Sequence, residues 1–327
     1  MARKVLQLAP DFAVPLDFAT EGVAVIGMRG SGKSNSEVRW FEVCHEAGIP
    51  CVAVDPKGDW GGIRSSADGK HPGLAVPVFG GLNGDFPLGE QLGRRIADLL
   101  VDKNLSAVLD VSRLSIGSRA RFLTDFFNQL IDRHQREPHV RCVILEEAHR
   151  YIPQEVTKAT AAVKEAAASI LLEGRAFGLG CWAATQRPAR LHKDVLEEVG
   201  TAIIHRIGAA ATNDLRTIAG WVKHEDLGAE IVPSLTKLAD GEAWVLAPST
   251  LGIARRVRID RRRTFDSAAT PLVGAGSRPV VTMADIDSAA INEALADAIE
   301  KARTDDPVAL RRELADARQR IAVLERA

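Results

Sequence analysis

The sequence predicts an α/β fold in which a mainly parallel central sheet is flanked by helices, with a helical appendage at the carboxyl end. Three observations predict it. Apolar runs of strand length recur and are continuous rather than alternating, as in strands buried on both faces. Helix-period segments lie between many of them, so strand and helix alternate along the chain. A glycine-rich turn joins the first of these runs to the first of these helices.

The expected strands run over Val23 to Ile26, Cys51 to Val54, Ala75 to Phe79, Ala107 to Val111, Val140 to Leu145, Leu179 to Thr185, Thr201 to Ile207 and Glu242 to Ala247. The expected helices run over Ser34 to Ala47, Gly89 to Val101, Ser118 to Arg136 and Thr160 to Arg175. The last strand enters a β-hairpin turning at Pro248 to Gly252. After Asp260 the periodicity stops, and Gly, Pro, Ser and Arg read as an extended arm. The expected division is an α/β domain over 1–260, an arm or linker over 261–281 and a helical segment over 282–327. Thr282 with Asp285 forms a capping-box pattern, and Asp306 followed by Pro307 marks a second helix start. In that second helix Leu310, Leu314, Ala317, Ile321 and Leu324 follow heptad spacing, over too short a span to distinguish a coiled coil from an amphipathic helix packed on the body.

Composition limits the function classes. The chain has 327 residues, 46% of them hydrophobic, which suffices for a large core. With 42 Lys+Arg against 43 Asp+Glu the formal net charge is -1, which excludes a global polycation; a polyanion site must be a local patch. Cys44, Cys51, Cys142 and Cys181 lie far apart in or beside apolar runs, without metal-type spacing, and read as buried thiols of a reducing compartment. No apolar run has the length of a membrane span, and prolines and aspartates interrupt the amino-terminal apolar residues before a signal core forms. The expectation is a soluble cytoplasmic protein.

Three motifs carry the chemistry. "GMRGSGKS" places Gly27, Gly32, Lys33 and Ser34 in the pattern G-x-x-x-x-G-K-S/T, after a strand and before a helix. Backbone N–H groups there wrap phosphates, Lys33 reaches the β and γ phosphates of ATP, Ser34 ligates Mg2+, and the helix dipole adds a favourable field. Gly30, Ser31 and Asn35 complete the expected nucleotide-binding set. In "RCVILEEAHRYIP" a buried strand delivers Glu146 and Glu147 to the carboxyl edge of the sheet, where ligands of open α/β sheets bind. Glu146 is expected in the magnesium shell with Ser34, and Glu147 is expected to polarise the attacking water. Glu146 stands where Asp is more usual, and its extra methylene favours contact through a metal-bound water. His149 reads as a packing or hydrogen-bonding residue. In "LLEGRAFGLGCWAATQRPARL" Gln186 sits at a strand's carboxyl end, placed to bond the γ-phosphate or the water. Arg175 lies at the opposite end of that strand's connection, where it could reach a neighbouring subunit's phosphate.

These segments, with "VDPKGDW" and "EEVGTAIIHRI", resemble in order and spacing the HerA group of HerA/FtsK-type ATPases, over roughly Val23 to Pro271. The resemblance implies a RecA-like P-loop NTPase core in a hexameric, double-stranded DNA-translocating ring of helicase type. It implies that Lys33 and Ser34 bind ATP and magnesium, that Glu146 and Glu147 are the Walker B pair and that Asp55 supports the active site. By the same match Gln186 senses the γ-phosphate and Arg175 is a finger inserted into the adjacent subunit's site. Members commonly carry an amino-terminal β-barrel that docks a nuclease; here some twenty residues precede the first expected strand, which puts that interface in question. Neither membrane spans nor a winged-helix module is visible, which disfavours the FtsK and conjugative branches.

In such a ring, DNA contacts would come from Lys57 and Arg64 after the second expected strand, and from Arg187, Arg190 and Lys193 after Gln186. The denser set Arg255, Arg256, Arg258, Arg261, Arg262 and Arg263 fits either a subunit interface or DNA. The leading expectation is therefore an ATP-driven double-stranded DNA translocase working as a homo-oligomeric ring with a nuclease or other effector. The alternative is a nucleotide-controlled oligomeric scaffold that regulates a partner enzyme without processive movement. A small-molecule kinase is disfavoured, because the acid pair and Gln186 suit water as the acceptor.

Overall fold

A computed structural model describes residues 5–208, 214, 218, 225–268 and 281–304. Its centre is a nine-stranded sheet. The chain begins, however, with an antiparallel pair outside that sheet, β1 (Val5–Ala9) and β2 (Phe12–Pro15). No strand is expected there from the sequence, yet Leu6, Leu8, Phe12 and Val14 alternate with outward residues as a half-buried hairpin requires. Their apolar side chains enter the same cluster as Val38 and Phe41 of α1 (Lys33–Glu46).

The central sheet contains β3 (Gly22–Ile26), β4 (Cys51–Asp55), β5 (Val78–Gly80), β6 (Ala107–Asp110), β7 (Arg141–Leu145), β8 (Leu179–Thr185), β9 (Thr201–His205), β10 (Glu242–Ala247) and β11 (Ile253–Arg258). Their spatial order is β11-β10-β9-β3-β8-β7-β4-β6-β5. The seven strands from β3 to β9 run parallel, and β10 and β11 add an antiparallel margin. One face is covered by α2 (Gly93–Asp102), α3 (Ile116–Arg136) and α4 (Ala161–Glu173), through residues such as Ile96, Phe122, Phe126 and Ile170. The other face is covered by α1 and the hairpin. Burial on both faces explains the continuous apolar runs. Two shorter helices, α5 (Lys193–Glu198) and α6 (Glu225–Ser234), follow β8 and precede β10 respectively.

The eight expected strands and the four expected helices before residue 260 all form, with shifted ends. The run expected from Ala75 pairs only from Val78, because Pro77 has no N–H and contributes its carbonyl to Val108 N instead. The expected capping box starts no helix: Thr282 N donates to Gly69 O and Ala284 N to Arg64 O, so this segment is strung along the 64–69 loop. The helix α7 (Ser288–Thr304) begins later, where Asp287 Oδ1 accepts from Ala290 N at 3.2 Å. Ile291 and Leu295 of α7 are buried in the cluster that also holds α2 and α3. Residues 262–264 lie along α1, held by Glu42, whose carboxylate accepts from Arg263 N and from Thr264 N and Oγ1. The heptad pattern from Leu310 onward and the start at Asp306 lie outside the described residues.

Candidate active site

The strand order β3-β8-β7-β4 decides the site. Chain segments far apart in sequence end side by side at one sheet edge: the loop after β3, Gln186 after β8, Glu146 and Glu147 after β7, and Asp55 at the end of β4. All but the buried Asp55 line a single cleft of about 1210 Å³, together with the β1–β2 turn and residues 258–262.

The loop from Gly27 to Gly32 opens α1 without a side-chain cap, which leaves first-turn N–H groups for an anion. Gly32 adopts φ 104°, and a Cβ there would stand 2.7 Å from Gly241 N, so both conformation and space require glycine. Gly241 N in turn donates to Ser31 O at 3.0 Å, tying the loop to the start of β10. Lys33 is 5% exposed, with Nζ 3.5 Å from Glu37 Oε2.

Asp55 organises the next loop. Its Oδ1 accepts from Lys57 N and Gly58 N at 2.8 Å, and Oδ2 accepts from Trp60 N at 2.9 Å. Burial and Glu146 push its carboxyl up to about 7 against these donors. The turn aims Lys57 inward, where Nζ lies 2.9 Å from Oε1 of both Glu146 and Glu147. Burial opposes the Lys57 charge, but the two carboxylates outweigh it and raise its pKa. Trp60 Nε1 donates to the second oxygen of Glu146 at 3.1 Å.

Glu147 has a left-handed backbone, φ 52° and ψ 49°, uncommon for a non-glycine residue and a mark of functional positions. Gln186 Nε2 donates to its Oε1 at 2.7 Å. Burial disfavours its charge, yet Lys33 and Lys57 more than offset that, so its pKa lies below the usual carboxylate value. His149 is lowered to about 4, chiefly by burial, and its Nδ1 lies 2.9 Å from Thr185 Oγ1; neutral at ordinary pH, it is a hydrogen-bonding neighbour.

No family model matches the chain. It is 36% identical over 120 residues to the probable DNA double-strand break repair helicase HerA of Methanocaldococcus jannaschii, a match covering 36% of this chain and 22% of that protein. It is 32% identical over 117 residues to the DNA double-strand break repair helicase HerA of Pyrococcus furiosus, covering 36% and 20%. The match thus spans about a fifth of either relative. Among solved structures, the bacterial conjugative coupling protein TrwB superposes with a TM-score of 0.56 at 12% identity, covering 85% of this chain and 92% of that one. The genome packaging NTPase of Sulfolobus turreted icosahedral virus 2 gives 0.50 at 16% identity, covering 74% and 98%. At such identities the structures speak for the fold alone. Over about a third of its length the chain is similar to the two HerA helicases, and its fold is that of TrwB and the packaging NTPase.

The cleft brings together Gly30, Gly32, Lys33, Ser34, Asn35, Lys57, Glu146, Glu147 and Gln186. Asn35 is engaged on the protein side: Nδ2 donates to Asp260 O at 2.8 Å and Oδ1 accepts from Arg262 N at 2.9 Å. Arg175 stands apart. It follows α4, at the far end of the seven-residue β8 from Gln186, so about 20 Å of strand separates it from the cleft edge. There it is 66% exposed and pairs with Glu21 at 3.0 Å.

The five residues expected to meet DNA divide into two groups. Arg187, Arg190 and Lys193 are exposed at the sheet edge that carries Gln186. Lys57 is paired with both acids, and Arg64 is turned inward onto Asp85 and Ala284 O, its side chain 12% exposed. Sequence reasoning missed this role of Lys57, and missed Trp60 and Glu37, since no spacing rule says which way a loop or helix side chain turns. The signal that could have found Lys57 was the Asp-Pro-Lys-Gly-Asp turn, whose first aspartate accepts from the amides of Lys57, Gly58 and Trp60.

For magnesium, the described residues contain no group of three or more His, Cys, Asp or Glu side chains that could hold a metal ion alone. The oxygens present suit an ion held by few protein ligands plus phosphates and waters, which magnesium prefers. Ser34 is exposed at the head of α1, and both Glu146 oxygens already accept from Lys57 and Trp60, which fits contact through water. When bound, the ion would neutralise phosphate charge.

Proposed function

We propose that this protein hydrolyses ATP at the cleft and couples hydrolysis to movement along double-stranded DNA. The observation that carries the reading is the cluster in which Lys57 and Gln186 both hold Glu147, across the cleft from the P-loop. Glu147 is kept ionised and aimed by two donors, as a group that orients or deprotonates a water must be. Lys33 and the first-turn amides of α1 take the polyphosphate, and Gln186, which bonds Glu147, reports its state to the exposed Arg187, Arg190 and Lys193. The HerA-named relatives support a DNA motor. A homo-oligomeric, hexameric ring with Arg175 completing the next subunit's site accords with its exposure far from its own cleft. A nuclease or other effector protein is the expected companion.

One observation favours the second reading, a nucleotide-controlled scaffold: Lys57 and Arg64 are occupied within the protein. Turnover with and without linear duplex DNA at low salt separates the two. Stimulation supports the motor; an unchanged rate supports the scaffold.

A further inference from the structure

Glu37 lies on α1 one turn beyond Lys33 and is 0% exposed. Its side chain leans back over the turn that carries the lysine, as helical side chains do. Oε2 stands 3.5 Å from Lys33 Nζ, and Oε1 is buried with no hydrogen-bond partner. Such an oxygen is costly to maintain, and nothing in the fold of α1 requires it. The charged groups facing it are Lys33 on its own helix, Lys57 from the loop after β4, and Glu146 and Glu147 from the end of β7. A second carboxylate population thus sits beneath a helix N-terminus whose field is otherwise suited to a polyphosphate.

We propose that Glu37 is a positioning residue for Lys33 that sets nucleotide affinity: its carboxylate draws the P-loop ammonium onto α1 and opposes an incoming polyphosphate. This rests on the reading of the cleft as a nucleotide site. A separation of 3.5 Å is long for a charge-assisted hydrogen bond, so a phosphate oxyanion is the stronger acceptor and takes the ammonium over. Glu37 then loses the attraction of Lys33 while remaining buried beside the phosphate. Burial, only partly opposed by Lys33, already pushes its carboxyl up to about 8. On the alkaline side of about pH 8, where Glu37 is ionised before the nucleotide arrives, binding therefore draws a proton from solvent onto it. Below about pH 8 the acid is neutral and opposes little; above it the carboxylate competes for Lys33, so affinity falls as pH rises.

The test is calorimetric titration of ADP and of a non-hydrolysable ATP analogue into the full chain. It compares wild type, Glu37→Gln and Lys33→Ala across about pH 8, in buffers of different ionisation enthalpy. The expected result is that Glu37→Gln binds about fivefold to tenfold tighter on the alkaline side, by removal of one buried charge near the phosphates. On that alkaline side wild type takes up a proton on binding, and the Gln variant does not. Equal or weaker binding by a Gln variant whose thermal unfolding matches wild type overturns the proposal. Should that variant not fold, wild type decides: binding above about pH 8 without proton uptake overturns it equally. Wild type with no measurable affinity, or Lys33→Ala binding as wild type does, overturns the nucleotide reading itself, an outcome distinct from a wild type that binds normally with an indifferent Gln variant.

Discussion

Gln186 Nε2 donates a 2.7 Å hydrogen bond to Glu147 Oε1, and it does so from just beyond the end of the neighbouring strand, thirty-nine residues away. The same oxygen lies 2.9 Å from Lys57 Nζ, so a carboxylate on a left-handed backbone is fixed from two sides. A side chain held in this way is oriented before any substrate arrives.

Replacing Glu147 with Gln keeps its shape and its bond to Gln186 but removes the base. The expected outcome is intact ATP binding with turnover lowered about 10²- to 10⁴-fold. Lys33→Ala should instead weaken binding itself. Nucleotide titration beside phosphate release checks both, and near-normal turnover in the Gln variant removes Glu147 from the role.

Lys57→Met bears on the electrostatics. Lys57 and Lys33 together hold the Glu147 carboxyl low against burial, so deleting one cation raises it. The base is active only when ionised, and its activity is lost as pH falls through its pKa. The acid limb of the rate profile should therefore move to higher pH in the variant. An unshifted limb would mean that Lys57 does not tune the group that limits turnover.

Gly32→Ala tests the cradle. A side chain at φ 104° with a backbone nitrogen 2.7 Å from its Cβ should cost about 1–3 kcal/mol or displace the loop. Thermal unfolding reads the first outcome and nucleotide affinity the second. A variant normal in both would show that the loop tolerates a Cβ there.

Charge reversal at Arg190 and Lys193 together should lower DNA stimulation of turnover more than the basal rate, because both are exposed and neither lines the cleft. Binding to duplex DNA should also lose part of its salt dependence. Equal loss in both rates would point to damage at the loop after Gln186.

Arg175→Ala should bind ATP, assemble and be nearly inactive, since fingers supplied in trans contribute about 10³ to 10⁵ in rate in well-studied GTPases. Mixing it with Glu147→Gln should restore part of the activity, because some interfaces then join an intact glutamate to an intact arginine. Absence of recovery in assemblies shown to be mixed would rule out the trans role. Titrating each variant separately into wild type identifies a ring that needs every site, through steep loss at low mutant fraction.

The sequence by itself determined the strands, the order of strand and helix, and the cradle from Gly27 to Ser34. Strands buried on both faces must be apolar throughout, and a phosphate loop is local chemistry within eight residues. It was also sufficient to bring Glu147 and Gln186 to the carboxyl edge, since each follows a parallel strand. The β1–β2 hairpin was written in the alternation of Leu6, Leu8, Phe12 and Val14, a pattern too short to be distinctive before α1 is known to need a cover. Only the tertiary structure decided that Lys57 turns in to the two acids, that Arg64 is tied to Asp85, and that Glu37 is buried against Lys33. Direction is the reason: spacing places a side chain on a loop or a helix face, but the charge it meets depends on which strands become neighbours. Here β7 and β8, late in sequence, insert between β3 and β4, and that insertion closes the site.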